Sequence, residues 1–240
     1  MTVIAKLSSR LQFFFFASSK KQIIQQIGDD DDECKQRFHN HMLLYWFQTK
    51  NLAGYDKSHY TKLVSELTDY LDKFLDAWKY DPNFTVKFIT GGAQGFDQLA
   101  FWAVHNLKTK RSNICNTVYV PFRGQERRWR MDGLFGQREY QLMLKLADEV
   151  VYLHDTPNQS EVRRLLFERN HRMVDDSQHL FALCNDWEWL SKKPYSGTTE
   201  CMHYAAKSEI KEIKEGKAYP HLVITHVLHY TTIDGQLRLD

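Results

Sequence analysis

The sequence predicts an α/β domain of three layers, with a mainly parallel central sheet between two layers of helices. Three observations point to it. Apolar runs of strand length alternate along the chain with stretches in which apolar residues recur at helical spacing. Twice, a buried strand passes through a glycine turn directly into a helix, at Thr90–Asp97 and again at Tyr195–Glu200. The length of 240 residues, with 42% hydrophobic and 26% charged residues, suits one compact core of ordinary size in a soluble globular protein.

Taken in order, residues 1–41 stand apart as a tail or accessory segment. Phe13–Phe16 lies between Arg10 and Lys20-Lys21, and an acidic run follows from Asp29 to Glu33. The apolar piece is too short for a signal peptide. Ile23, Ile24 and Ile27 can dock one face of a short helix, whereas the acidic block stays solvated and disordered. Translation from Met42 would remove the segment, and residues 42–240 are read as a single domain.

Met42–Phe47 is a continuous apolar run and makes the first strand. From Ser58, apolar residues recur at Tyr60, Leu63, Val64, Leu67, Leu71, Phe74, Leu75 and Trp78, which predicts an amphipathic packing helix. Val86, Phe88 and Ile89 form a central strand, and the helix after it carries Leu99, Ala100, Trp102, Ala103 and Val104. Thr117–Phe122 is a further strand, closed by Pro121. A helix over Leu134–Ala147 turns Leu142, Leu146 and Ala147 inward, and Glu149–His154 is a short strand. Ser160 caps a helix that ends near Asp175, and His179–Asn185 is the next buried strand. The charged run from Lys207 extends the helix after the second glycine turn. Leu222–Tyr230 and Gln236–Leu239 read as a hairpin, or as a final strand with a turned-back end.

The first glycine turn, Thr90-Gly-Gly-Ala-Gln-Gly-Phe-Asp97, is where chemistry is expected. Gly91, Gly92 and Gly95 permit positive φ and leave the amides around Ala93 bare, and the helix that follows adds unpaired N–H groups. Such a turn suits a phosphate or a ribose, or it is simply a tight turn with a capped helix. Asp97 can cap that helix or accept a hydrogen bond from a sugar hydroxyl, and its charge argues against a phosphate directly beside it. The second turn, Ser196-Gly197-Thr198, offers amides and hydroxyls of its own. On neighbouring parallel strands the two turns would face one cleft from both sides. Arg123 to Arg130 follows a strand with four arginines, which can grip a phosphate, and with Trp129, which can stack on a base; otherwise it is a solvated loop.

Several function classes lack their signatures. A net charge of +2 provides no general attraction to nucleic acid. No apolar run approaches the roughly 18–20 residues that span a bilayer. The four cysteines, Cys34, Cys115, Cys184 and Cys201, form no C-x-x-C pair and read as reduced, mostly buried thiols of a cytoplasmic protein. The eleven histidines show no metal-ligand spacing, and no serine elbow or Walker lysine is present. No metal or cofactor is called for. Asp97 and Glu200 are the carboxylates available for cleaving a glycosidic bond, and both serve equally well as ribose ligands or helix N-terminal charges.

The order of these pieces resembles the YpsA-type branch of the SLOG superfamily, the Rossmann-like group that includes DprA-like proteins and the LOG nucleotide phosphoribohydrolases. The resemblance runs from about Asn51 to Lys207. It rests on Leu52-Ala-Gly-Tyr-Asp56, on Thr90–Asp97, on Pro121-Phe122 with Gln125-Glu126 and Trp129, on Arg169-Asn170 with Met173-Val-Asp175, and on Ser196-Gly197-Thr198. It implies a nucleotide or nucleotide-derived ligand of the base–ribose–phosphate or ADP-ribose type, bound between the two glycine turns by a sensor or regulator. Arg169 and Asn170 would lie at the edge of the cleft. The family pattern Thr-Gly-His-Arg-Pro after the first strand is replaced here by Tyr45-Trp-Phe-Gln-Thr49. The acid of the LOG Gly-Thr-x-x-Glu motif comes one residue early in Gly197-Thr-Thr-Glu200, which turns the carboxylate by about 100° on a helix. These departures keep two alternatives open: an N-glycosidic (phosphoribo)hydrolase using Glu200 or Asp97, and a protein-interaction module with a vestigial cleft. DNA binding of the DprA kind ranks third. Self-association and a protein partner stay open.

Overall fold

A computed structural model describes residues 40–46, 57–183, 197–215, 223–228, 230–233 and 236–239. The chain divides into Met1–His39 and Asn40–Asp240, and the described residues all belong to the second unit. Ser196, Cys34, Cys184, the Leu52–Asp56 motif and the 1–39 segment lie outside them.

Six parallel strands make the sheet, in the order β4-β3-β2-β1-β5-β6. They are β1 (Asn40–Trp46), β2 (Val86–Thr90), β3 (Ile114–Val120), β4 (Glu149–Tyr152), β5 (His179–Leu183) and β6 (Ile224–Leu228). Between successive strands run α1 (Lys57–Ala77), α2 (Phe96–Leu107), α3 (Gln137–Leu146), α4 (Val162–Asp175) and α5 (Gly197–Lys214). The strands march outward from β1 to β4, and the chain then returns to β1's other side to lay down β5 and β6. Parallel crossovers are right-handed, so this reversal places α1, α2 and α3 on one face and α4 and α5 on the other. The Rossmann-like three-layer architecture follows. Its switch point lies between β1 and β5, where Met42 pairs with His179 and Leu44 with Phe181.

Side-chain alternation along the strands divides the core between the faces. Val86 and Phe88 of β2 and Phe181 and Leu183 of β5 pack with α1 and α2. Ile89, Leu180 and Ala182 face Met173, Val174, Cys201 and Met202 of α4 and α5. The stripe on α1 is buried from Tyr60 through Leu75, whereas Trp78, just beyond the helix, is 46% exposed.

Several expectations need correction. β1 begins at Asn40, which pairs with Val86, so initiation at Met42 would remove two paired residues. In α3 the inward residues are Tyr140 and Met143, which pack with Phe101, Val118 and Val120; Leu142 and Leu146 point outward. Residue 161, not Ser160, precedes the first turn of α4, and no side chain caps that turn. The 222–230 run splits: β6 joins the parallel sheet, while β7 (Tyr230–Ile233) and β8 (Gln236–Leu239) pair as an antiparallel hairpin. Cys201 is buried and Cys115 partly exposed, and both are free thiols. Among the described residues no helix is long and apolar enough to cross a membrane.

The phase of α3 is directly testable. Met143→Ala opens a cavity and should cost about 2–4 kcal/mol in urea unfolding, whereas Leu142→Ala should change stability by no more than about 0.5 kcal/mol.

Candidate functional site

In a parallel sheet every strand ends at the same edge, and the ends of β2 and β5 therefore share the carboxyl edge. β2 closes with Thr90, which is fully buried and whose hydroxyl has no hydrogen-bond partner among the described residues. The turn beyond it is held by the protein's own side chains. Arg169 Nη1, from α4, donates to the Gly91 carbonyl at 2.5 Å. Asp97 Oδ2 accepts from the Ala93 N–H at 3.1 Å and lies 3.8 Å from Arg169 Nη1. Arg169 Nε donates to Asn170 Oδ1 at 2.9 Å. Arg169 is 2% exposed and Asp97 is not exposed at all, so these charges are compensated inside the protein.

That packing explains two of the glycines. A Cβ at Gly91 would sit 2.0 Å from Arg169 Nη1 and 2.7 Å from Asp97 Oδ2. Gly92 has φ +65°, and a Cβ there would meet Val118, Tyr140 and Met143, each at 3.1 Å. The bareness of Gly91 admits a guanidinium; that of Gly92 admits the α2–α3 core. Gly95, at φ 104° and ψ −127°, delivers the chain into α2, whose first turn has no side-chain cap. Asp97 therefore braces the turn and does not cap the helix.

On the other side of β1, α5 opens at Gly197, and Thr198 is fully buried, its hydroxyl without a hydrogen-bond partner among the described residues. Glu200, one position short of a full turn from the helix start, has its Oε1 2.5 Å from His171 Nε2 on α4. Its other oxygen, Oε2, is buried and has no hydrogen-bond partner among the described residues. The His171 ring stacks on Tyr204 of α5 with centroids 3.8 Å apart and planes 9° from parallel. The Tyr204 hydroxyl donates to Asp175 at 3.0 Å. Tyr60, in the first turn of α1, adds another buried hydroxyl without a partner at this edge. Burial, with a smaller contribution from the Glu139 charge, pushes its phenol well above the ordinary tyrosine range, so it remains a neutral donor.

The structure brings Thr90, Gly91, Ala93, Asp97, Arg169 and Asn170 into one connected cluster, and Gly197 and Thr198 to the same edge of the sheet. Other expectations change. The two glycine turns do not follow neighbouring strands, because β1 lies between β2 and β5. Arg169 and Asn170 are buried, 2% and 3% exposed, with Arg169 bonded to the turn. Asp175 ends α4, which runs from the carboxyl to the amino edge of the sheet, and lies away from the turns. Trp129 packs edge-on to Tyr140, centroids 5.0 Å apart, against the α2–α3 core. Pro121 is buried directly beyond β3. Arg123, Arg127, Arg128 and Arg130 are exposed around a 3-10 turn, with Arg123 over the Tyr152 ring and Arg128 bonded to Gln159. His171 and Tyr60 are the polar groups that sequence reasoning passed over. The one available signal was the matched four-residue spacing of His171 with Asp175 and of Glu200 with Tyr204.

Residues 47–229 match the YspA SLOG family, and the chain belongs to that family. It is similar to the uncharacterized SPbeta prophage-derived protein YoqJ of Bacillus subtilis (strain 168), with 34% identity over 131 residues. That alignment covers 51% of this chain and 70% of YoqJ.

The clamp on the first turn predicts strong coupling. Gly91→Ala should cost about 2–3 kcal/mol by overpacking, and Arg169→Met about 3–5 kcal/mol because the Asp97 charge loses its partner. The double variant should fall short of the sum by at least about 1 kcal/mol in a urea-denaturation cycle. Simple additivity would contradict the clamp.

Proposed function

We propose that this chain binds a nucleotide or nucleotide-derived ligand, of the base–ribose–phosphate or ADP-ribose type, at the carboxyl edge of the sheet and acts as a sensor or regulator. The observation that supports this reading is the pair of buried hydroxyls on Thr90 and Thr198 that have no hydrogen-bond partner among the described residues. A buried polar group left unpaired costs about 1–3 kcal/mol, and a ligand held at this edge would relieve that cost. They stand at the ends of elements on either side of β1, beside the switch point at which open α/β sheets take ligands. Membership of the SLOG family supports the same place.

In this reading the ligand lies along the amides of Gly91–Gly95 and Ser196–Thr198, with Pro121 at its margin. Asp97, Arg169 and Asn170 give the first turn its shape from beneath and do not touch the ligand. The compartment we assign is the cytoplasm, consistent with the free thiols of Cys115 and Cys201. N-glycosidic hydrolysis is the second reading. It is favoured by Glu200, a carboxylate with one oxygen bound to His171 and the other unpartnered.

Mass spectrometry of small molecules released from the purified protein, together with thermal shifts against a nucleotide panel, tests the proposal. A nucleotide-derived compound should be released, or Tm should rise with at least one nucleotide. The Thr90→Val/Thr198→Val variant should keep or exceed the parent Tm while binding at least about tenfold more weakly. No release and no shift across the panel would overturn the proposal in favour of a protein-interaction module.

A further inference from the structure

We infer that the arginine loop between β3 and α3, residues 123–131, is a docking surface for an acidic segment of a partner protein. The inference goes beyond the nucleotide-binding reading and does not depend on it.

Arg123, Arg127, Arg128 and Arg130 crowd this loop, and no lysine lies between residues 123 and 136. The backbone beneath them is fixed. The Arg127 N–H donates to the Gly124 carbonyl at 3.1 Å and the Trp129 N–H to the Glu126 carbonyl at 2.8 Å, which closes the 3-10 turn. From α3, the Gln137 N–H donates to the Arg130 carbonyl at 2.8 Å and its side chain donates to the Trp129 carbonyl at 2.8 Å. Gly124 has φ +81°, and a Cβ there would stand 2.5 Å from Arg127 Nε, so the Arg127 side chain lies back across a bare Cα. Backbone groups and the Gln137 side chain thus build a frame that presents the guanidiniums.

Those guanidiniums are left without counterions. Arg111, Arg138, Arg164, Arg169 and Arg172 each lie 3.8 Å or less from a carboxylate. Among the described residues Arg127, Arg128 and Arg130 have no such partner; Arg128 donates to the neutral Gln159. The acids nearby are engaged already, Glu126 by Gln141, Asp132 by Arg138 and Asp155 by Arg123. Beside the arginines, Met131 is 53% exposed although its carbonyl is tied to the Arg138 N–H. An apolar side chain held in the open among unpaired guanidiniums has the composition of a protein interface, where Arg and Met are enriched and Lys is depleted.

Charge and shape select the partner. A guanidinium fork matches a planar carboxylate or a phosphate through two parallel hydrogen bonds. A nucleic-acid strand fits worse, because its continuous phosphate track would run against Glu126, Asp132 and Asp155 and its bases would find no open ring to stack on. Trp129 is turned in on Tyr140, and the Tyr152 ring lies under Arg123 at 3.9 Å. A peptide instead sets discrete carboxylates on the arginines and an apolar side chain on Met131.

The test is selection of short random peptides on the immobilised full chain without nucleotide, followed by fluorescence anisotropy of the enriched sequences. Enriched peptides should carry several carboxylates beside an apolar side chain and bind with Kd below about 100 μM. Arg127→Gln/Arg128→Gln/Arg130→Gln should weaken them at least about tenfold, and Arg127→Lys/Arg128→Lys/Arg130→Lys, which keeps the charge and loses the fork, at least about threefold. A single-stranded oligonucleotide should bind at least about tenfold more weakly than the best peptide at the same ionic strength. The substituted arginines are exposed, so both variants should keep the parent Tm. No enrichment, enriched peptides without acidic residues, full affinity in either variant, or an oligonucleotide that binds as tightly as the best peptide would each overturn the inference, and none of these results bears on the nucleotide site.

Discussion

The guanidinium of Arg169 is the constraint around which the carboxyl edge is built. An arginine cannot shed its charge, so burying it obliges the fold to supply acceptors. Those here come from three places: the carbonyl of Gly91, the side chain of Asn170 and the nearby carboxylate of Asp97. The requirement then propagates. Gly91 has to be glycine because the guanidinium stands where a Cβ would go, and Asp97 has to sit in the first turn of α2 to reach both Arg169 and the Ala93 amide. A helix of one layer is thereby fastened, over the end of the sheet, to the start of a helix in the other.

α4 carries the same logic to the far side of β1. Two residues beyond Arg169, His171 reaches Glu200 on α5, so one helix braces the first turns of both α2 and α5. What remains unsatisfied is correspondingly informative. Among the described residues the hydroxyls of Thr90, Thr198 and Tyr60 and one oxygen of Glu200 are buried and unpaired at this edge. A rigid frame with a few orphaned groups at its centre is what preorganised recognition requires, since the ordering cost is met in folding.

Most of the fold was legible because local periodicity is enough to place a strand or a long helix. The α1 stripe from Tyr60 to Leu75 came through intact, as did the central strand β2 marked by Val86, Phe88 and Ile89. α3 was misphased because a ten-residue helix with few apolar positions is compatible with more than one inward face, and only packing against Phe101 and Val118 selects Tyr140 and Met143. The glycines were legible as glycines but ambiguous in purpose, since a bare Cα admits a ligand or a neighbouring side chain equally well. Strand order depends on long-range pairing, so the insertion of β1 between the two glycine turns left no local trace. The His171–Glu200 pair was hidden for the same reason, lying 29 residues apart in the chain.

We place ligand binding between the turn after β2 and the first turn of α5. Hydrogen–deuterium exchange of the full chain, with and without a saturating nucleotide that raises Tm in the thermal-shift panel, tests this placement. Slowed exchange confined to peptides covering residues 90–97 and 197–201 is the predicted result. Protection centred instead on the Arg123–Arg130 loop, with residues 90–97 unchanged, would contradict the account.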